Sequence, residues 1–313
     1  NKLNVKKISK NTWRVDLLDS SKIEFNYSVY AYDKTVRTSY LDEDQAMING
    51  ASIFMLPNNC ENQPLGLTVE AFHKWERITT TLKNYKGSYD KFVASSYDEL
   101  IDSPIQIGNH QIHRFEASKS IHEYAITSTG NIDIPTLLND SKKIVSEIHS
   151  LFSDIPPYDH YIFFLQLTNS GFGGLEHSKS CSMIYDRNGF KNRKKYIRFL
   201  SLVSHEFFHT WNVKRIRPIE LGPFDYYNEV YTQLLWLAEG VTSYYDNIFL
   251  PRSGVSTTKE YFEIICDDIK RYENTPGKDV MTVEESSFDA WIKLYRPNEN
   301  SINTSISYYL KGG

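Results

Sequence analysis

A chain of 313 residues with 40% hydrophobic and 24% charged side chains has room for two ordinary domains and a large core, which excludes a disordered class. A net charge of -4 supplies no field to hold a polyanion, so nucleic acid is not an expected partner, and the basic run at 191–195 reads as a solvated loop. Three cysteines, Cys60, Cys181 and Cys266, are too few and too scattered for a disulfide framework or a zinc ribbon, so any metal must use histidine and carboxylate.

From residue 1 to about 130 the chain alternates apolar and polar residues in short runs, such as Trp13 to Leu17 and Ile23 to Val29, broken by Asp, Asn, Gly and Ser clusters. Period two with frequent turns predicts antiparallel strands, with an aromatic content of 14% suited to half-buried pleated surfaces. Only Ser96 to Ile101 suggests a short helical turn. After Ile134 the spacing becomes helical, with Leu137, Leu138, Ile144, Val145, Ile148 and Leu151 on one face until Pro156 and Pro157 end it. Tyr161 to Leu167 then reads as a buried strand entering a glycine-rich turn at 171–174.

Two strong helices follow, over about 196–211 and 229–249, then one more over 261–272 and a Ser- and Asn-rich loop leading to an element cut short at Gly313. The expected class is α+β: an N-terminal antiparallel β-sandwich over 1–132, followed by a mainly helical domain over 133–313. No run of about 18 apolar residues appears, so no membrane span is expected. The chain opens on Asn1 rather than Met, which leaves a preceding signal segment open; the cytoplasm is the default compartment, and oligomeric state is not legible.

His205-Glu206-Phe207-Phe208-His209 is an H-E-x-x-H sequence on the first of these helices. Residues i and i+4 share a helix face, so the two imidazoles can close two corners of a tetrahedral zinc site, and Glu206, rotated beside them, can reach a water. The flanking Phe199, Leu200, Leu202, Val203, Phe207 and Trp211 bury that helix, where polar groups need partners; two core histidines satisfied by hydrogen bonds are the competing account. A third ligand must be His or carboxylate. Glu239 lies inside the apolar run from Leu234 to Val241, where an unpaired charge is costly; a metal or an unseen Arg or Lys would satisfy it. Gly240 removes a side chain where two helices would have to approach.

HEFFHTWNVKRIRP followed by WLAEGVTSYYD, with GGLEH upstream at Gly173 to His177 and SYYLKG at Ser307 to Gly312, resembles the glycyl aminopeptidase family of zinc peptidases, which usually carry a PDZ module and are related to aminopeptidase N. The resemblance spans Gly173 to Gly312 and implies a thermolysin-like catalytic domain holding one zinc per chain on His205, His209 and Glu239. It further implies Glu206 as general base, Glu176 as the group that binds the substrate amine beside Gly173 and Gly174, and Tyr309 facing the developing oxyanion. The implied substrate is a peptide with a free N-terminus and a small first residue, Gly or Ala. The 29 residues between His209 and Glu239 exceed the spacing in aminopeptidase N, and a PDZ module would lie beyond Gly313. A thermolysin-like endopeptidase and an inactive peptide-binding scaffold are the competing functions; a carboxylate at Glu176, which can pair with a free α-ammonium, disfavours the first, and an intact Glu206 the second. Along a strand Glu176 and His177 must point to opposite faces, so only one can enter a cleft.

Overall fold

The computed structural model describes residues 3–17, 22–152 and 155–313. β1 (Val5–Lys7) and β2 (Trp13–Val15) form a separate hairpin. The strand expected over Ile23 to Val29 does not form: residues 22–31 have no regular secondary structure, and Ile23, Phe25, Tyr27 and Val29 all remain exposed. Alternation makes a two-faced segment, but without a sheet to cover one face no strand is formed.

The rest of the N-terminal region is two antiparallel sheets. One has the order β3 (Tyr40–Leu41), β4 (Gln45–Ile48), β9 (Ile105–Gly108) and β6 (Arg77–Thr80); the other has β5 (Leu65–Thr68), β8 (Lys91–Ala94) and β7 (Lys83–Asn84). Phe54, Leu67, Val69 and Ile78 pack against the buried residues of both, so the two sheets share a core. Helix α1 (Tyr97–Ile101) is capped by Ser96, whose hydroxyl accepts from Glu99 N–H.

A further, five-stranded sheet begins earlier than the change to helical periodicity suggests. Its order is β10 (Gln111–Ala117), β11 (Ser120–Thr127), β12 (His160–Thr168), β14 (Ser180–Asp186) and β13 (Phe172–Glu176). β11, β12 and β14 are parallel, and the outer strands are antiparallel. β10 and β11, which precede the division expected at residue 132, belong to this sheet, and the change of sheet falls between Gly108 and Gln111. Alternation identifies a strand but not the sheet it joins. The glycine-rich stretch after β12 is likewise the edge strand β13, not a turn.

β12 is buried on both faces and largely apolar, with Gln166 the exception among its buried residues. Tyr161, Phe163, Leu165 and Leu167 face the helices, while Ile162 and Phe164 pack with Ala125 against Met47 of the N-terminal sheets. α2 (Ile134–Phe152) makes the crossover from β11 to β12 and buries Leu137, Ile144, Val145 and Ile148; Leu151, assigned to that face by spacing, is 43% exposed near the helix end. α3 (Arg193–Phe208), capped by Asn192, lies on the helical side of the sheet.

The second helix starts later than expected. A π-helical turn at Trp236–Gly240 leads into α4 (Val241–Arg252), and residues 229–234 are not helical. That stretch belongs to a strap running back to the N-terminal region, with Glu229 paired to Lys10 and the Tyr227 hydroxyl donating to Asn58 and Glu61. α5 (Thr258–Glu273) opens on a Thr257/Glu260 capping box. The expected loop beyond it contains α6 (Val283–Phe288), with its own box from Thr282 and Glu285, then α7 (Ala290–Lys293), α8 (Ser301–Thr304) and α9 (Tyr308–Gly312). Among the described residues no helix is long and apolar enough to cross a membrane.

Candidate active site

The last turns of α3 present His205 and Glu206, and His209 follows as the C-cap residue. His205 Nε2 lies 3.1 Å and His209 Nε2 3.2 Å from the same Glu239 oxygen, Oε2. Both rings are held from behind. His205 Nδ1 is 2.8 Å from Asp246 Oδ2, and His209 Nδ1 donates to the Asn212 carbonyl at 2.6 Å. Such outer bonds fix the ring orientation and leave each Nε2 aimed at the common point. Asn212 is itself held, donating to the Ala238 carbonyl at 2.8 Å and to Thr242 Oγ1 at 3.1 Å.

Glu239 reaches this point because the π turn abuts α9 at a pair of glycines. A Cβ on Gly240 would fall 2.5 Å from the Gly312 carbonyl carbon, so the two backbones meet where no side chain fits. The same contact brings the Tyr309 ring within 6.3 Å of the His205 ring. Tyr308 turns away, its hydroxyl 3.1 Å from that of Tyr295. Lys311 anchors α9 by donating to the carbonyls of Lys278 and Met281, both at 2.7 Å.

On the opposite side stands β13. Oxygens of Glu176 and Glu206 and a nitrogen of His209 lie within 4.8 Å of one another. His177, the residue directly after β13, lies 3.2 Å from Asp102. Gly174 faces Glu206 so closely that an added Cβ would stand 2.0 Å from Oε1. Gly173 has open space beside it.

The electrostatics follow from burial and convergence. Burial opposes charge on His205, yet hydrogen bonds with Asp246 and Glu239 hold it well above its ordinary value. Burial opposes it on His209 too, but the charges of Glu239 and Glu176 push that ring up to about 9. Burial favours the neutral form of Glu239, and the two imidazoles reverse this, holding it well below the usual carboxylate range. Glu206 is pushed up to about 8, by burial first; the charges of the two histidines pull it down and those of Glu176 and Glu239 add to the rise. Burial, then the charge of Glu239, raises Tyr309 well above 10.0.

His205, His209 and Glu239 form a group whose ligand atoms lie within 4.8 Å of one another, and two imidazoles with one carboxylate are a donor set that suits a divalent cation. Glu206 Oε2 is buried without a hydrogen-bond partner among the described residues, so it too faces something other than protein. Glu176, Glu206 and His209 also meet this distance criterion, but they share His209 with the first group, so the two mark one site.

The structure thus brings together every residue singled out in sequence: His205, Glu206, His209, Glu239, Glu176, Tyr309 and the two glycines. Sequence reasoning missed Asp246, Asn212, Thr242 and Lys311. Asp246 follows Glu239 by seven residues, two helical turns on the same side, and that spacing was the available signal.

Comparison with known proteins places this arrangement among peptidase families. A family model described as M61 glycyl aminopeptidase matches residues 198–313, and one described as the peptidase M61 N-terminal domain matches residues 1–109. The chain belongs to the M61 glycyl aminopeptidase family. A solved structure of an aminopeptidase N family protein from Idiomarina loihiensis superposes with a TM-score of 0.90 at 34% identity, covering 99% of this chain and 54% of that one. The chain therefore spans about half the length of that protein. No curated protein sequence matches it.

Proposed function

We propose that the chain is a zinc-dependent aminopeptidase, removing a small first residue such as Gly or Ala from peptides with a free N-terminus, on a thermolysin-like catalytic scaffold. The observation that carries this reading is the convergence of His205 Nε2 and His209 Nε2 on one Glu239 oxygen, with both Nδ1 atoms engaged elsewhere. These three residues would hold one zinc. Bound there, it would supply Lewis acidity toward the scissile carbonyl and the attacking water.

The chain's own groups do the rest. Glu206 takes the proton of the attacking water and passes it to the leaving amine. Tyr309, kept protonated by burial and by Glu239, donates its hydroxyl proton in a hydrogen bond to the developing oxyanion. Glu176 accepts from the substrate's α-ammonium, and Gly173 leaves room for the peptide beside β13. With the amine fixed, the first carbonyl is the one within reach of Glu206.

The test is a panel of aminoacyl amides and N-acetylated peptides, run with and without chelator on the unmodified protein and on Glu206→Gln. Cleavage of free-amine substrates alone, abolished by chelator and by Glu206→Gln with metal content retained, is the expected result. Cleavage of acetylated peptides at internal bonds would make the chain an endopeptidase. Absence of both metal and hydrolysis would leave a peptide-binding scaffold.

A further inference from the structure

We propose that Asp102, at the end of α1 in the N-terminal region, is a positioning residue that sets where Glu176 stands in the cleft; the N-terminal sheets thereby share in recognising the substrate's amine. The inference rests on the aminopeptidase reading above. Asp102 Oδ1 accepts from Lys214 Nζ at 2.8 Å and lies 3.2 Å from His177 Nδ1, while Oδ2 accepts from the Ser178 N–H at 2.9 Å. Two of these partners directly follow Glu176, and the third comes five residues after His209. One carboxylate, only 15% exposed, is therefore bonded both to the turn that directly follows Glu176 and to the segment that leaves the metal-binding helix.

The grip has further points. Glu99, also on α1, meets Lys179 at 3.3 Å, and Arg215 brings two guanidinium nitrogens to 3.5 Å from the Ser178 carbonyl. Opposite charges keep Asp102 ionised: burial favours its neutral form, but His177 and Lys214 hold the carboxyl well below its usual range. An ion pair of this kind resists opening, because parting it strands charge in a dry place.

Glu176 needs such a hold. β13 is the outermost strand of its sheet, paired among the described residues only with β14. The Glu176 carboxylate stands close to Glu206 and His209, so a small shift of the strand end changes what it meets. Asp102 holds His177 and the Ser178 N–H, the two residues directly after β13, and so fixes the end of the strand on which Glu176 stands.

The experiment compares Asp102→Ala, Asp102→Asn and the double variant Asp102→Asn with Lys214→Met, which leaves no ammonium without its counter-charge and keeps the test open should a single variant fail to fold. With a free-amine aminoacyl amide, Asp102→Ala should raise KM by about 10- to 100-fold, the range set by one charge-assisted hydrogen bond, with kcat and metal content little changed. Asp102→Asn, which keeps one acceptor for Ser178, should recover part of that loss. In a Glu176→Ala background the Asp102 substitutions should add nothing, because the two residues act through one contact. Unchanged KM in all three variants, additive effects with Glu176→Ala, or a fall in kcat alone that tracks loss of folded protein would each overturn the inference. If the unmodified protein does not distinguish free-amine from acetylated substrates, the aminopeptidase reading fails first and takes this one with it.

Discussion

Gly174→Ala isolates the contact between the edge strand and the H-E-x-x-H helix. The added Cβ would fall 2.0 Å from Glu206 Oε1, 2.2 Å from its Cδ and 2.5 Å from its Cγ, where ordinary contact begins at 3.4 Å. Something must therefore retreat by about 1.4 Å, the difference 3.4 − 2.0. The strand is held in the ladder by the Gly174–Met183 pairing, so the Glu206 carboxylate is the group that gives way. A misplacement of about 1 Å at a proton-transferring group costs on the order of 10²-fold in rate. The expected outcome is a kcat lowered by about that factor, with metal content unchanged, because His205, His209 and Glu239 lie outside the contact. The assay is steady-state hydrolysis of an aminoacyl amide alongside metal per chain by elemental analysis. Gly66→Ala serves as control, since a Cβ there meets nothing within 4 Å. A kcat within about threefold of the unmodified protein, or loss of the metal, would refute the argument that Gly174 is glycine to make room for Glu206.

Three other substitutions or conditions probe the rest of the site and its support. Asp246→Asn keeps the size of the side chain but weakens its hold on His205, and should lower metal affinity by about 10- to 100-fold in a chelator competition; unchanged affinity would remove Asp246 from the site. Tyr309→Phe should cut turnover by about 10² to 10³, whereas Tyr308→Phe, whose hydroxyl bonds Tyr295, should leave turnover intact; equal effects would reassign the donor. Burial holds His122 down at about 3 and His110 down at about 4, from an ordinary 6.5. The unfolded chain then binds protons that the folded chain refuses, so the stability tied to these neutral rings is complete above pH 6.5 and is lost as pH falls toward those values. Thermal melts between pH 7.5 and 4 should show Tm falling on the acid side, less steeply in His110→Gln, and parallel slopes would count against it.

The sequence made the centre of the site legible and its supports obscure, for a physical reason. His205 and His209 carry their geometry in their spacing, and Glu239 stands out as a charge inside an apolar run, so each is recognisable locally. Asp102 meets His177 and Lys214 only through tertiary folding, and nothing near residue 102 marks it. Asp246 carries only its seven-residue spacing from Glu239, which becomes a signal once Glu239 is known to face the site. The same limit governs the fold. Strand character in β10 and β11 was readable, but their membership of the five-stranded sheet depends on pairing with β12, far along the chain. The stretch at 229–234 has residues compatible with helix, and distant partners such as Lys10 draw it into the strap instead.

The burial of β12 on two faces bears on how such a chain can be recombined. Cut after residue 109, the second part would turn Ile162 and Phe164 toward water, at a cost of about 1.5 to 3 kcal/mol for each side chain. That is a sizeable fraction of the stability of an ordinary domain, and the uncovered patch would be adhesive as well. The peptidase half is therefore not a cassette to be moved between scaffolds: a chimaera must bring a front piece whose counterpart of Met47 fits the sheet it lands on.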